Sequence, residues 1–208
     1  MILETLVVGA LAVNCFIVGC EATHEAVVID PGDDAGRIIA ALDAKHLKLK
    51  YILFTHGHFD HAGAGLELQK KTGAKVLVHE KDALLLKNTE AQAALFAMHA
   101  NPAPKPDSYL KDGETITVGD ITLKVIETPG HTQGGVSFYA EKSGVVFTGD
   151  TLFWGSIGRT DLPGGDYKAI IHSLKRKLGA LPDATKVYPG HGDDTTIGFE
   201  KQQNPFFE

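Results

Sequence analysis

Cysteine is scarce in this chain of 208 residues, which holds only Cys15 and Cys20. They sit five residues apart in the apolar run NCFIVGC. If that run is a strand, the odd offset puts them on opposite faces and about 16 Å apart along the chain, beyond the roughly 7 Å that disulfide Cα atoms allow. An internal disulfide is therefore not expected, and both read as small core or face residues of a reduced, cytoplasmic protein. Long apolar runs are missing too. The opening MILETLVVGALAV lacks a basic flank, carries Glu4 and falls short of the roughly 20 residues of a membrane span, so it reads as a buried strand and a turn. Nor is there a dominant charge: the net charge is −6, and Lys175-Arg176-Lys177 is the one basic run. Nothing in that distribution offers a track for a phosphate backbone, so neither nucleic acid nor a membrane is expected as a partner.

What is present is an ordinary globular composition, 43% hydrophobic, at a length that suits one domain spanning residues 1–208. Short apolar or alternating runs at 2–8, 14–20 and 25–30, punctuated by Gly9, Gly19 and Pro31-Gly32, predict an antiparallel meander. A helix is expected from Asp33 or Asp34 to about Lys45, then a buried strand at 51–55 and a helix after His61 that Gly73 stops. Further on, 76–79 reads as a strand, 81–87 and 90–99 as helices, and Asn101-Pro102-Ala103-Pro104-Lys105-Pro106 as an extended loop. The second half follows a similar order, with strands at 115–118, 121–127, 135–140 and 145–148, an amphipathic helix at 167–178, and a last strand at 186–188. In that helix Tyr167, Ile170, Ile171, Leu174 and Leu178 share one face and His172 falls opposite, in solvent. The element order implies two sheets between outer helices.

Four places interrupt strand ends with polar donors. The first, THGHFDH, sets His56, His58, Asp60 and His61 directly after the apolar run Tyr51-Ile52-Leu53-Phe54. The others are Pro129-Gly130-His131, Thr148-Gly149-Asp150 and Pro189-Gly190-His191. A glycine stands beside each, as suits a chain that turns sharply and brings a ligand close to a cation. Five histidines and two aspartates are too many donors for one four-coordinate zinc and suit two cations sharing a carboxylate. His24, His46, His79, His99 and His172 lack this context and read as structural or solvated.

THGHFDH, PGHTQGG, GDTLFWGSIGRTD and YPGHG, in this order, resemble the metallo-β-lactamase superfamily over nearly the whole chain. GSIGRTDLPGGD and the ending TTIGFEKQQNPFF resemble its small glyoxalase II-like hydrolases. The resemblance implies an α/β fold, a four-layer αββα sandwich with the site along the sheet edges. It also implies that His56, His58 and His131 hold one metal, that Asp60, His61 and His191 hold the other, and that Asp150 bridges them, Asp60 doubling as the catalytic carboxylate. Asp30 matches a position behind the site from which a carboxylate orients ligands, although a turn-forming Asp before Pro-Gly reads equally well.

Two divalent ions are thus expected as cofactors, zinc foremost, with iron and manganese compatible with the same donors. The implied activity is metal-dependent hydrolysis of a small thioester such as S-D-lactoylglutathione by a hydroxide held at the metals. Full-length glyoxalase II enzymes carry a C-terminal helical domain that grips glutathione, and the expectation here is a single domain without it. Arg159 then stands as the cation for a substrate carboxylate, or else as an arginine tying down its own loop through Asp161 or Asp166. The alternatives are a persulfide dioxygenase, which shares HxHxDH and GRTD but uses a single iron, and a lactonase or other hydrolase of this fold.

Overall fold

The computed structural model describes residues 1–208. The chain divides into two compact units, Met1–Leu110 with Thr117–Ile121, and Lys111–Ile116 with Thr122–Glu208.

In the first unit β1 (Ile2–Val8), β2 (Val13–Gly19) and β3 (Glu25–Ile29) form the expected meander. Then β4 (Lys48–Leu53), β5 (Lys75–His79) and β6 (Ser108–Leu110) add in parallel, so that sheet order equals chain order. Helices α1 (Ala35–Ala44) and α2 (Gly65–Thr72) make the crossovers that parallel pairing demands. They bury Ile38, Leu42 and Leu68 in one core with Val28, Ile52 and Val76 of the sheet. Gly73 closes α2 with φ 70°, a left-handed cap that glycine adopts at little cost. This pairing has a consequence for chemistry: β1, β3, β4 and β5 all point the same way, so the segments leaving them emerge at one edge of the sheet.

In the second unit the sheet runs β14-β13-β10-β9-β8-β7. Its strands are β7 (Thr115–Val118), β8 (Ile121–Glu127), β9 (Val136–Ala140), β10 (Val145–Gly149), β13 (Lys186–Pro189) and β14 (Thr195–Thr196). A small hairpin of β11 (Leu152–Phe153) and β12 (Ser156–Ile157) stands apart. Antiparallel pairing of β8 with β9 and of β9 with β10, then parallel pairing of β10 with β13, again sends three strands the same way. These are β8, β10 and β13, which lead to His131, Asp150 and His191. A core of Val146, Leu174, Leu178, Val187 and Ile197 supports them.

Several expectations need correction. The single helix over 167–178 is instead α5 (Tyr167–His172), a π-helical stretch over Ser173–Lys177 and a short 3₁₀ turn. The widened turns keep Leu174 and Leu178 buried while the Ser173 hydroxyl donates to the Pro129 carbonyl at 2.7 Å. Tyr167, placed on the apolar face by periodicity, is 55% exposed because it opens the first turn. The helix expected over 90–99 is α4 (Thr89–Leu95), following α3 (Ala83–Lys87); it ends early, and Ala97 turns left-handed at φ 54°. The three-residue β6 and the C-terminal α6 (Ile197–Gln203) were not anticipated. Cys15 and Cys20 are free and buried, and burial, with Asp30 nearby, pushes the Cys15 thiol well up. No helix is long and apolar enough to cross a membrane.

Candidate metal centre

The first unit brings its donors together through parallel strand ends. Asp30 leaves β3 in the left-handed region, φ 50°, a conformation that Asp tolerates better than most residues. Its Oδ1 accepts the Thr55 backbone N–H at 2.7 Å and its Oδ2 accepts the Thr55 hydroxyl at 2.6 Å. Having donated its proton, the Thr55 oxygen accepts from His56 Nδ1 at 3.0 Å. Asp30 Oδ2 also takes the N–H of His61 Nδ1 at 3.1 Å. One buried carboxylate thus fixes two imidazoles, one directly and one through Thr55, in the tautomer with its lone pair on Nε2. Ligand atoms of Asp30, His56 and His61 lie within 4.8 Å of one another. Because Asp30 faces the Nδ1 side, it orients the rings rather than adding a ligand to them.

The remaining donors of THGHFDH follow from local backbone. A 3₁₀ turn over Phe59–His61 places Asp60 Oδ2 3.6 Å from His61 Nε2, and the His56 ring centre lies 4.8 Å from that of His58 and 4.2 Å from that of His61. Gly57, between two of them, is pinned on both sides: its N–H donates to Asp82 Oδ2 at 2.9 Å, and its carbonyl accepts from Gln92 Nε2 at 3.2 Å. A Cβ at Gly57 would stand 2.7 Å from the Asp82 carbonyl, which explains the glycine inside the motif. Thr55, Asp82 and Gln92 were missed from sequence. Asp82 leaves β5 at the same sheet edge, a position that no local motif marks.

In the second unit Asp150 Oδ2 lies 3.5 Å from His131 Nε2 and 3.7 Å from His191 Nε2. His131 Nδ1 donates to the Arg159 carbonyl at 2.8 Å, so its lone pair too is on Nε2. That carbonyl reaches the ring because Gly158 lies against the strand end, where a Cβ would sit 1.8 Å from the Asp150 carbonyl oxygen and 3.1 Å from His131 Nδ1. Phe153 presents its ring to His191 at 6.3 Å between centres. The Arg159 side chain closes on its own loop, where its Nε and Nη2 each donate to an Asp161 carboxylate oxygen at 2.7 Å. This bidentate pair raises the arginine's pKa and holds Asp161 down at about 2. Of the two readings of Arg159, the loop tether is the one observed.

Of the other histidines, His24, His46 and His172 are exposed, and the ring of His79 accepts the Lys81 backbone N–H at 3.2 Å. His99, also exposed, lines a cavity in the first unit.

The donor set passes a chemical test for divalent metal. Three imidazoles have Nδ1 engaged by an oxygen acceptor and offer Nε2, and carboxylates stand next to them in both units, the pattern of borderline to hard cations.

Comparison with known proteins agrees. The sequence profile of the metallo-β-lactamase superfamily matches residues 8–191. The chain is 39% identical over 208 residues to the hydroxyacylglutathione hydrolase GloC of Haemophilus influenzae, covering 99% of this chain and 98% of that protein. Among solved structures, BLEG-1, a B3 metallo-β-lactamase, superposes with a TM-score of 0.92 at 37% identity, covering 99% of each chain. TTHA1623 in a di-iron-bound form superposes with a TM-score of 0.89 at 38% identity, covering 98% of this chain and 99% of that one. The chain belongs to the metallo-β-lactamase superfamily and has its α/β fold, as the sequence motifs implied.

Proposed function

We propose that this protein is a metal-dependent hydrolase of small hydroxyacyl thioesters, of which S-D-lactoylglutathione is the representative, working in the cytoplasm with its cysteines reduced. In this reading His56, His58 and His131 would hold one divalent ion and Asp60, His61 and His191 the other, with the Asp150 carboxylate beside His131 and His191 available to both. The observation that carries it is the fixing of His56, His61 and His131 through their Nδ1 atoms, by Thr55, Asp30 and the Arg159 carbonyl. Such support is what a ligand sphere needs and a surface histidine does not. Zinc is the first choice of metal; the di-iron form of TTHA1623 keeps iron in view.

When bound, the ions supply an acidified water and a Lewis acid for the thioester carbonyl. The chain's own residues do the rest. Asp30 and Thr55 hold two rings in the correct tautomer, and Asp82 with Gln92 keeps the Gly57 peptide, and so the spacing of His56 and His58, from relaxing. In this reading Asp60, whose side chain is 16% exposed beside His61, takes up a proton released during hydrolysis. No serine or cysteine nucleophile is called for, and both cysteines are buried in the core.

The test is metal counting with anaerobic turnover. The purified protein should hold two ions per chain, and Asp150→Ala should lose high occupancy, because a carboxylate available to both ions would offset their mutual repulsion. Thioester cleavage should run at full rate without oxygen. One tightly bound iron, with oxygen consumed on a persulfide substrate, would replace this reading with the dioxygenase.

A further inference from the structure

The segment that follows β5 reaches back to the middle of THGHFDH. Asp82 Oδ2 accepts the Gly57 N–H at 2.9 Å, and Gln92 Nε2 donates to the Gly57 carbonyl at 3.2 Å. Asp82 is 1% exposed. It stands at the N-cap of α3, where an aspartate ordinarily accepts a backbone N–H from the first turn of its own helix, yet its side chain makes no cap bond there. The carboxylate is turned to the motif instead. Gln92 joins the two helices to the same point, since its Nε2 also donates to the Leu85 carbonyl at 2.6 Å. The start of α3 packs hard on Gly57, where a Cβ would meet Leu86 N at 2.8 Å and Leu85 Cβ at 3.1 Å.

The far half of the motif is held from elsewhere. Asp30 Oδ2 takes His61 Nδ1 at 3.1 Å. Just beyond, the Ala64 N–H donates to the Pro31 carbonyl at 2.9 Å and Asn101 Nδ2 donates to the Gly63 carbonyl at 3.2 Å. Loss of the Asp82 contact frees the Gly57 peptide and removes none of these. His56 also keeps its tie to the Thr55 oxygen at 3.0 Å. The movement therefore passes to His58, half-buried, whose place follows from the Gly57–His58 peptide.

We infer that Asp82 is a positioning residue for one metal position only: by fixing Gly57 it sets how tightly the ion at His56 and His58 is held, while the ion at Asp60 and His61 depends on Asp30. The inference rests on the two-ion reading of the site. A buried N–H paired with a carboxylate is one of the stronger hydrogen bonds, and a peptide deprived of it turns toward another partner. A ligand carried on that peptide then leaves its best place, and loss of a residue that orients a ligand weakens metal binding about 10-fold to 100-fold.

Stepwise release of metal tests this without any substrate. The zinc-loaded full chain is titrated with a chelator while free zinc is followed, and His58→Ala and His61→Ala mark which step belongs to which ion. Asp82→Ala should weaken the step marked by His58→Ala roughly tenfold or more and move the other by less than about threefold. Asp82→Asn, which keeps an oxygen acceptor for the Gly57 N–H, should restore the wild-type pattern. Gln92→Ala, at a half-buried position, should weaken the same step by about fivefold, the worth of one neutral hydrogen bond. In the cobalt(II)-loaded protein the visible bands of that ion should change in Asp82→Ala and return in Asp82→Asn. A merely structural role would instead lower the melting temperature and weaken both steps by the same factor, which overturns the assignment. So does an effect on the His61 step alone, no effect on either, or an asparagine variant that behaves like alanine. If Asp82→Ala fails to fold, Gln92→Ala decides: equal effects on both steps, or none, overturn it. The readings fail separately. A wild type that releases a single ion removes the two-ion reading and the selective role with it, whereas two ions weakened together remove the role of Asp82 alone. A protein that hydrolyses no thioester leaves the result standing.

Discussion

At the scale of single residues, the chemistry of this protein depends on which nitrogen of each imidazole carries the proton. Asp30, Thr55 and the Arg159 carbonyl settle that for three rings, and none of the three need be a metal ligand. Arg159 shows how one residue divides its work, its carbonyl orienting His131 while its guanidinium closes on Asp161. The Asp161 carboxyl, held at about 2 against 3.8 unperturbed, makes a pH prediction. A depressed pKa means that the folded state favours the ionised form. The tether's contribution is therefore complete above about 3.8 and lost as pH falls through about 2. An NMR titration of the Asp161 carboxyl should give a midpoint near 2, and Arg159→Ala should return it toward 3.8. An unmoved midpoint would mean that the pair is not maintained in solution.

Among the elements, the β11–β12 hairpin carries the backbone onward from Asp150 to Gly158, yet it is too short to be stable alone. It is anchored by α6. Glu200, fully buried, accepts the Gly155 N–H at 3.0 Å, the Thr195 hydroxyl at 2.7 Å and the Asn204 amide at 2.7 Å. Asn204 in turn donates to the Ser156 carbonyl at 3.1 Å. Removing this carboxylate strands three donors, those of Thr195 and Asn204 on buried residues and the half-buried Gly155 N–H. Glu200→Ala should destabilise the protein by roughly 3 kcal/mol, since hydrogen bonds to a charged group are worth about 1.5–3 kcal/mol each and a cavity is left as well. Chemical denaturation measures it, and Glu200→Gln, which keeps part of the network, should recover some of the loss. A loss below about 0.5 kcal/mol for the alanine variant would show that the anchor is redundant.

For the molecule as a whole, the proposed metal binding would be linked to folding, because donors such as His131, Asp150 and His191, tens of residues apart in sequence, come together only in the native chain. An ion at a hundred times its dissociation constant stabilises by about 2.7 kcal/mol. For a chain of this size that corresponds to a rise in Tm of roughly 5–10 °C. Stripping metal with a chelator should lower Tm by that amount, and zinc should restore it more fully in the wild type than in Asp150→Ala. A Tm indifferent to chelation would count against tightly held ions.

The sequence by itself determined the strand-end motifs, the order of the longer strands and helices in both halves and the family, but not the short β6 or the C-terminal α6. Each of these is local: a period of two or 3.6, a glycine beside a turn, seven donors in four short motifs. Tertiary structure decided what depends on strands that are neighbours in space but distant along the chain. Parallel pairing of β3, β4 and β5 brings Asp30, Thr55 and Asp82 to one edge, where the Asp30 carboxylate meets His61 Nδ1 at 3.1 Å, a contact that no local motif announces. The same holds for the Asp161 tether, the π-helical widening that lets Ser173 reach Pro129, and the cavity between the β1–β2 turn and Met98. Sequence periodicity reports which face of an element is apolar; what a side chain's polar atoms meet across a sheet edge is set by pairing partners tens of residues away.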